Sequence, residues 1–160
     1  MNHDGAWIEQ AGAVLALEGR LLRERAFRDW LQLFTADGSY WVPVSPDQVD
    51  PFSAPSHIYE ARPALDLRVL PQMPPSRVSR LHGVPWLLSR TNDRMEFAVE
   101  FQLVEARQVP DAESELRIFA GQSRYHMVRD AQTAAGWRIA RKRVDLINSE
   151  SAFSGVSILL

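Results

Sequence analysis

The sequence of residues 136–148 is GWRIARKRVDLIN, and it reads as one long β-strand. Successive side chains of a strand point to opposite faces of its sheet. Trp137 and Ile139 are therefore expected to share one face, and Val144 and Leu146 the other. A buried face that changes within one strand is typical of a highly curved sheet. In such a sheet, one face packs against the core at one end of the strand, and the opposite face forms a contact surface at the other end.

A change of face inside one strand requires a bulge or a strong bend, which we predict near Arg141–Arg143. The same segment is rich in positive charge. Four cationic side chains lie within six residues: Arg138, Arg141, Lys142 and Arg143. Two interpretations stay open at this point, namely a basic face in contact with water and a surface that contacts another protein.

The chain has 160 residues, which predicts a single domain over residues 1–160 with a sizeable core. Its 18 basic and 20 acidic residues give a formal net charge of −2. A slightly acidic domain binds nucleic acid poorly unless its positive charge is strongly segregated. We therefore expect no nucleic acid among its partners.

The sequence contains no cysteine. This excludes disulfides, thiolate-bound iron–sulfur clusters, cysteine-based zinc sites and a cysteine nucleophile. The N-terminal residues show no signal-peptide pattern, and no apolar run approaches the ~20 residues that a membrane helix needs. We expect a soluble, cytoplasmic protein with no membrane partner.

Helical periodicity dominates the N-terminal part of the chain. Apolar residues recur at helical spacing between Ile8 and Leu22, which predicts a helix over residues 6–23. A shorter helix follows, ended by the turn residues Asp37-Gly38. Its apolar stripe consists of Phe27, Trp30, Leu31 and Phe34. We interpret the aromatic stripe as core.

Short elements come next. Residues 39–44 predict a strand, in which Pro43 favours an edge position because it lacks an N–H donor. Ile58 and Tyr59 predict a brief strand, and Pro63 is well placed as the first residue of a short helix that ends before Pro71.

The rest of the chain predicts a β-meander. Its strands cover residues 78–89 with a break at 83–85, 95–103, 116–128, 136–148 and 156–160. Helices followed by long antiparallel strands indicate the α+β class. We predict a cone-shaped, curved antiparallel or mixed sheet that is covered by the N-terminal helices and encloses a cavity.

No local motif identifies an active site. The four histidines lack the spacing of a zinc enzyme, and neither a glycine-rich phosphate loop nor a Gly-x-Ser-x-Gly turn is present. One candidate set of catalytic residues at the mouth of the cone consists of Asp37, Tyr40, His57 and His82, with Tyr125 beside them. These side chains could transfer protons on a small substrate. The alternative is that they form hydrogen bonds within the loops and the sheet.

Three segments resemble the small (β) subunit of bacterial aromatic-ring-hydroxylating dioxygenases, which are Rieske non-haem iron oxygenases. They are Asp29-Trp30-Leu31 through Phe34 and Asp37-Gly38-Ser39-Tyr40-Trp41-Val42-Pro43; Pro74-Pro75-Ser76-Arg77 through Arg80; and Gly136-Trp137-Arg138-Ile139-Ala140-Arg141-Lys142 through Asn148. The segments occur in the family's order, and the resemblance extends from about Leu15 to the end of the sequence. Residues 44–56 depart from the family, because many relatives carry a more charged loop there.

The resemblance implies a cone-shaped fold of the cystatin-like or nuclear-transport-factor-like type. It also implies a partner, a large (α) subunit that carries a Rieske [2Fe–2S] cluster and a mononuclear Fe(II) site. Three α and three β subunits would form a heterohexamer that contains a β trimer. The lack of cysteine agrees with this division, since a Rieske centre needs two cysteines and two histidines.

Two functions follow as hypotheses. In the first, the chain is a non-catalytic structural subunit without a cofactor of its own. Its enzyme would add O₂ to an aromatic ring with electrons that reach it from NAD(P)H through separate redox proteins. In the second, the chain is a stand-alone dehydratase, cyclase or isomerase that uses His, Asp and Tyr side chains in its cavity. Fold alone does not separate these hypotheses.

The matched segments also suggest residues of a subunit interface: Arg77, Arg80, Arg141, Lys142 and Asn148. A cation in a sheet that is built to bury apolar groups must be paired. Its partners are either acids of the same chain, such as Glu96, Glu100 and Asp145, or groups of a neighbouring subunit. The sequence leaves both options open.

Overall fold

The computed structural model describes residues 5–69, 76–108, 111–150 and 159–160. Three helices and seven strands follow one another in this part of the chain: α1 (Ala6–Arg23), α2 (Phe27–Leu31), β1 (Phe34–Pro43), β2 (Ser56–Ala61), α3 (Arg62–Val69), β3 (Ser76–His82), β4 (Trp86–Arg90), β5 (Arg94–Arg107), β6 (Glu115–Arg129) and β7 (Trp137–Leu146). The predicted α+β class is confirmed, and so is the break between β3 and β4.

The strands form one curved, mixed sheet in the order β2-β1-β7-β6-β5-β3, and β4 also pairs with β5. Neighbouring strands run antiparallel, except that β1 and β7 run parallel. β5 and β6 pair without a register shift from Arg94 and Val128 to Arg107 and Glu115. The rest of the curved sheet extends from this long strand pair.

Helix α1 has the boundaries that its periodicity predicts, and one face of it is buried. The buried residues are Ala11, Val14, Leu15, Glu18, Leu21 and Leu22. Their spacing follows the helical repeat, so they form one stripe that faces the core. Five of them are apolar and the sixth, Glu18, is a carboxylate. We call the side of the sheet that faces this stripe the inner face and the opposite side the outer face.

The bulge predicted in β7 is present slightly before the expected position. Met127 pairs with Ile139, whereas His126 pairs with Arg141, so Ala140 is the extra residue. A bulge resets the alternation of side chains. The buried residues of the strand are Trp137, Ile139, Lys142, Val144 and Leu146. The prediction of two opposite apolar faces is therefore wrong, because the bulge turns both apolar pairs toward the core.

Two predictions about the preceding segment are also wrong. α2 ends at Leu31 and β1 begins at Phe34, so the aromatic stripe passes from a helix into a strand. The stripe still packs as core, since the rings of Trp30 and Phe34 meet edge to face at 4.9 Å. Pro43 does not mark an edge strand, because β1 lies between β2 and β7. It is the last residue of β1 and follows a register shift after Val42, where a missing N–H costs little.

The end of the chain differs from the predicted strand over residues 156–160. Residues 156–158 lie outside the described residues. Leu159 and Leu160 are buried at 1% and 3% exposure and do not belong to a strand. They contact the inner side of the sheet through hydrogen bonds.

Candidate functional site

A cluster of polar side chains lies inside the cone, between α1 and the inner face of the sheet. Glu18 of α1 is its centre. Trp30 Nε1 donates to Glu18 Oε1 over 3.1 Å, and Tyr125 Oη donates to Glu18 Oε2 over 2.6 Å. Lys142 Nζ donates to Glu18 Oε1 over 2.9 Å. We call Glu18, Trp30, Tyr40, Tyr125 and Lys142 the interior cluster.

The bulge at Ala140 places Lys142 in this cluster. In a strand without the extra residue, Lys142 would lie on the face opposite to Trp137 and Ile139. The bulge shifts the alternation by one residue, so Lys142 faces the core with them. Lys142 is 2% exposed. Its ammonium lies 5.2 Å from the ring centre of Tyr125 and 5.9 Å from that of Tyr40. The two rings therefore add cation–π attraction to the ion pair.

Leu159 and Leu160 complete the cluster from the end of the sequence. Lys142 Nζ donates to the main-chain oxygen of Leu160 over 2.6 Å. The Leu160 N–H donates to Tyr40 Oη over 2.9 Å, and the Arg80 guanidinium donates to the main-chain oxygen of Leu159. These two residues thus occupy part of the space enclosed by the sheet.

The electrostatics of the cluster follow from its burial and its pairing. Burial alone would raise the pKa of Glu18, but the Lys142 charge and the hydrogen bonds from Tyr125, Lys142 and Trp30 outweigh it and hold the pKa below 4.5. Burial lowers the pKa of Lys142, and the Glu18 charge opposes that shift. Burial and the Glu18 charge raise the pKa of Tyr125 well above 10. Tyr125 therefore stays a neutral donor to a charged carboxylate.

The cluster is a satisfied network. Each oxygen of Glu18 accepts at least one hydrogen bond, and the Lys142 ammonium is shared between Glu18 and Leu160. A carboxylate held below its usual pKa by three donors is a weak general base. These contacts stabilise one position of α1 relative to β6 and β7.

The structure brings together only part of the predicted catalytic set. Tyr40 belongs to the interior cluster. His82 lies on the same side of β3 as Arg80 by strand alternation, and burial and the Lys142 charge lower its pKa. Asp37, in contrast, is exposed on β1. His57 Nε2 lies 2.7 Å from the main-chain oxygen of Ser149, in the turn that follows β7.

The five residues predicted for a subunit interface separate into two groups. Arg80 and Lys142 bind main-chain oxygens of Leu159 and Leu160, so their side chains point into the chain's own interior. Arg77, Arg141 and Asn148 are exposed. For Arg80 and Lys142 the structure thus shows partners within the chain, although not the acids that the sequence suggested.

The other cations of β7 are also paired with particular groups. Arg143 donates to Asp145 and to the carbonyls of Pro46 and Gln48, and its guanidinium lies 4.5 Å from the ring centre of Trp41. Arg138 donates to Asp130 over 2.5 Å and to the carbonyl of Gln32. Of the four cations in this strand, Arg141 alone is exposed. They do not form the single basic face that the sequence left open.

Sequence reasoning missed Glu18, Leu159 and Leu160. The signal for Glu18 is its place in the apolar stripe of α1, three residues after Leu15 and three before Leu21. A lone carboxylate at a core position predicts a buried cationic partner. No comparable sequence signal indicates that Leu159 and Leu160 complete the interior cluster, because two consecutive leucines look like ordinary apolar residues.

A second buried ion pair was also missed. Glu105 is fully buried, and Arg117 Nη1 lies 3.5 Å from its Oε2. The two residues face each other across β5 and β6, and the Arg117 guanidinium also lies over the ring of Phe119. This pair is near the end of the sheet away from Trp137.

The outer face carries an exposed apolar surface, which consists of Leu81, Val104, Leu116, Ile118 and Ile147. Pairing across β3, β5 and β6 places Val104 beside Ile118 in one row, and the flanking rows contain Leu81 and Leu116. Leu81, Leu116 and Ile118 are 67–69% exposed, and Ile147 is 82% exposed. We call this set the outer apolar surface.

Metal ligands do not gather in the part of the chain that the structure describes, where no group of three or more His, Cys, Asp or Glu side chains could hold a metal ion. Within the same residues, no helix is both long enough and apolar enough to span a bilayer.

The family follows from comparison of the sequence with protein families. Residues 17–151 match the family described as the ring hydroxylating beta subunit. The chain belongs to this family. The β-subunit resemblance noted from the sequence is therefore confirmed. No curated protein matches the chain.

Solved structures share the fold of this β-subunit family member. The β subunit of benzoate 1,2-dioxygenase from Burkholderia mallei is 24% identical, with a TM-score of 0.67 over 90% of this chain and 93% of that chain. A chain of naphthalene 1,2-dioxygenase, solved with indole in the active site, is 18% identical, with a TM-score of 0.72 over 99% and 88%. A ketosteroid isomerase-like protein from Erwinia carotovora atroseptica is 14% identical, with a TM-score of 0.62 over 92% and 98%. The predicted cone fold is confirmed, and at these identities the structures show the fold alone.

Proposed function

We propose that the chain is a non-catalytic structural subunit of a multicomponent aromatic-ring-hydroxylating dioxygenase. Its partner is a large (α) subunit that carries the Rieske [2Fe–2S] cluster and the mononuclear Fe(II). That enzyme adds O₂ to an aromatic ring with electrons from NAD(P)H, delivered by separate redox proteins. Three large and three small subunits form the heterohexamer, in which the small subunits make a trimer. Membership of the β-subunit family supports this proposal.

The observation that carries the structural role is the pairing of polar groups in the interior cluster. Glu18 and Lys142 neutralise each other there, and Tyr125 donates to Glu18. The main-chain oxygens of Leu159 and Leu160 accept hydrogen bonds from Arg80 and Lys142. A cluster whose carboxylate and ammonium are already paired favours rigidity over turnover, because catalysis needs polar groups that are free to act on a substrate.

The outer apolar surface supports a subunit contact. Several large apolar side chains that are exposed on one face of a sheet are typical of an interaction site. Arg77 lies in the same row as Leu116, and Asn148 directly follows Ile147. Arg141 lies farther along the same face. We place Arg77, Arg141 and Asn148 at the polar rim of a contact with a neighbouring subunit of the hexamer, which is where interfaces carry charge.

A stand-alone dehydratase, cyclase or isomerase is less well supported. It would need Asp37 and His57 beside Tyr40 and His82. Asp37 is exposed on β1, and His57 contacts the main-chain oxygen of Ser149. The likeness to an isomerase-like protein concerns the fold.

Co-expression with the large-subunit gene of the same operon or gene neighbourhood tests the proposal. We expect one complex with the mass of three large and three small subunits, with iron and ring-hydroxylating activity that require the large subunit. The isolated small subunit should bind no iron, zinc or flavin stoichiometrically and should catalyse no dehydration or isomerisation. A chain that stays monomeric in the presence of the large subunit would contradict the proposal, as would turnover by the isolated chain.

A further inference from the structure

A small pocket with several arginines lies where the end of α1 approaches β3. Its volume is about 260 Å³, and its walls include Arg23, Arg25, Arg77 and Arg80. Apolar side chains, among them Phe27 and Leu159, line the same space. Among the residues that the structure describes, no acidic side chain belongs to its lining.

We propose that this pocket binds a small organic carboxylate with an apolar body. The guanidinium group presents a planar fork of donors that matches the two oxygens of a carboxylate. The apolar walls offer contact to the remainder of such a ligand. The volume is slightly below the range of pockets that hold drug-sized molecules, so the ligand should be small.

Arg80 lines the pocket and has a buried donor. One of its terminal nitrogens donates to the main-chain oxygen of Leu159. Its Nε is buried and has no hydrogen-bond partner. A buried donor without a partner is costly, and an anion in the pocket would satisfy it.

The charge of the surroundings also favours an anion. Glu18, the acid that interacts electrostatically with Arg80, is already paired with Lys142. Glu105 pairs with Val78 across the strands, and Arg117 lies 3.5 Å from its carboxylate. The cations next to these two acids, Lys142 and Arg117, lie outside the lining of the pocket.

Arg25 lies just beyond the C-terminal end of α1 and brings its side chain to the pocket. Its φ is +57°, a left-handed conformation that glycine or asparagine adopts at much lower cost. The N–H groups of Arg25 and Ala26 donate to the carbonyls of Leu22 and Leu21, as is common where a helix ends. The Arg25 side chain lines the pocket and lies over the ring of Phe27.

Calorimetric titration of the isolated full-length chain with benzoate, benzamide and inorganic phosphate tests the inference. Benzoate should bind saturably at one site, and benzamide, which has the same shape without the charge, should bind at least tenfold more weakly. Phosphate should also bind at least tenfold more weakly than benzoate, because it lacks the apolar body. No saturable benzoate binding, or equal binding of benzoate and either other probe, would overturn the inference.

Two variants locate the site. Arg25→Gly should weaken benzoate binding at least tenfold without lowering the Tm, because glycine relieves the left-handed backbone. Arg23→Gln, at the exposed end of α1, should weaken binding to a similar degree. Arg90→Gln, which removes an exposed arginine from β4, is the matched control and should leave binding unchanged. Benzoate affinity that Arg25→Gly and Arg23→Gln leave intact would place any binding elsewhere and overturn the inference. The test does not depend on subunit assembly, so its failure leaves the proposed structural role standing.

Discussion

Lys142 Nζ lies 2.9 Å from Glu18 Oε1 at a point where both side chains are 2% exposed. The pair joins the first helix of the chain to the last strand of the sheet. A buried ion pair contributes less net stability than its Coulomb energy suggests, because both charges lose their hydration. The pair has a greater effect on the position of α1 than on stability, since any shift of α1 along the sheet would leave a charge unpaired.

Replacement of Lys142 by methionine should lower the free energy of unfolding by about 3–5 kcal/mol, because it leaves the buried Glu18 carboxylate without its counter-charge. Urea denaturation followed by tryptophan fluorescence measures this change. Arg141→Met is the matched control, since Arg141 is exposed on the same strand, and it should change stability by less than about 0.5 kcal/mol.

The double variant Glu18→Gln with Lys142→Met should be more stable than the sum of its single variants predicts. Glutamine keeps a carbonyl that can accept from Trp30 or Tyr125 and removes the unpaired charge. We expect a coupling energy of at least about 1 kcal/mol from the double-mutant cycle. Strict additivity would mean that the two side chains do not interact in solution.

Acid should destabilise the isolated chain in two steps. Burial lowers the folded-state pKa of His82 and of His126, so the unfolded chain binds more protons as the pH falls through 6.5. Glu18 contributes stability above 4.5 that is lost as the pH falls toward its lowered folded-state pKa. Urea denaturation at a series of pH values from 7.5 to 3.5 should show a falling free energy of unfolding in both ranges.

Single substitutions separate the two ranges of that pH profile. His82→Gln should reduce the slope between pH 7 and 5, and Glu18→Gln should reduce the slope below 4.5. A free energy of unfolding that stays constant or rises as the pH falls from 7 to 4 would contradict the assignment.

Ile118→Lys should reduce the yield of the complex with the large subunit while the Tm of the isolated chain changes by only a few degrees. Ile118 is 69% exposed in the centre of the outer apolar surface, so lysine is tolerated by the free chain but would place a charge in a subunit contact. Leu67→Lys is the control, because Leu67 is 77% exposed on α3. Equal assembly by both variants would remove the outer apolar surface from the interface.

Arg80→Ala and Arg141→Ala should have different effects. Arg80 binds the main-chain oxygen of Leu159 inside the chain, so its loss should lower the Tm of the isolated chain. Arg141 is exposed, so its loss should spare the Tm and weaken assembly. Thermal unfolding of the isolated chain and the yield of co-expressed complex are measured for both variants. A lowered Tm with Arg141→Ala would assign that residue to the chain's own stability.

Local pattern predicted most of the fold. The repeat of apolar residues gave the boundaries of α1, and the alternation of Met95, Phe97 and Val99 identified β5. The change of alternation inside β7 revealed its bulge before the structure placed it at Ala140. These features depend on neighbours a few residues apart, so a single sequence is enough to read them.

Contacts between distant parts of the chain were harder to predict. Phe34 continues the helical spacing of Trp30, and only the pairing of β1 with β7 makes it a strand residue. Lys142 looks like one of four surface cations, because its partner Glu18 is distant in sequence. The same reason explains the predicted set of Asp37, Tyr40, His57 and His82, of which only Tyr40 and His82 face the interior. Sequence spacing does not report which face of a curved sheet a distant residue will share.

The parallel pairing of β1 with β7 has a consequence for biosynthesis. β1 is made early, yet the strand that must lie beside it follows only after β2 to β6. Contacts between residues this far apart slow folding, because a large loop must close before they form. A nascent chain therefore leaves the ribosome with one edge of β1 unpaired until β7 has emerged. During that interval the exposed strand edge is open to aggregation, so we expect slower elongation or chaperone binding to raise the yield of folded subunit.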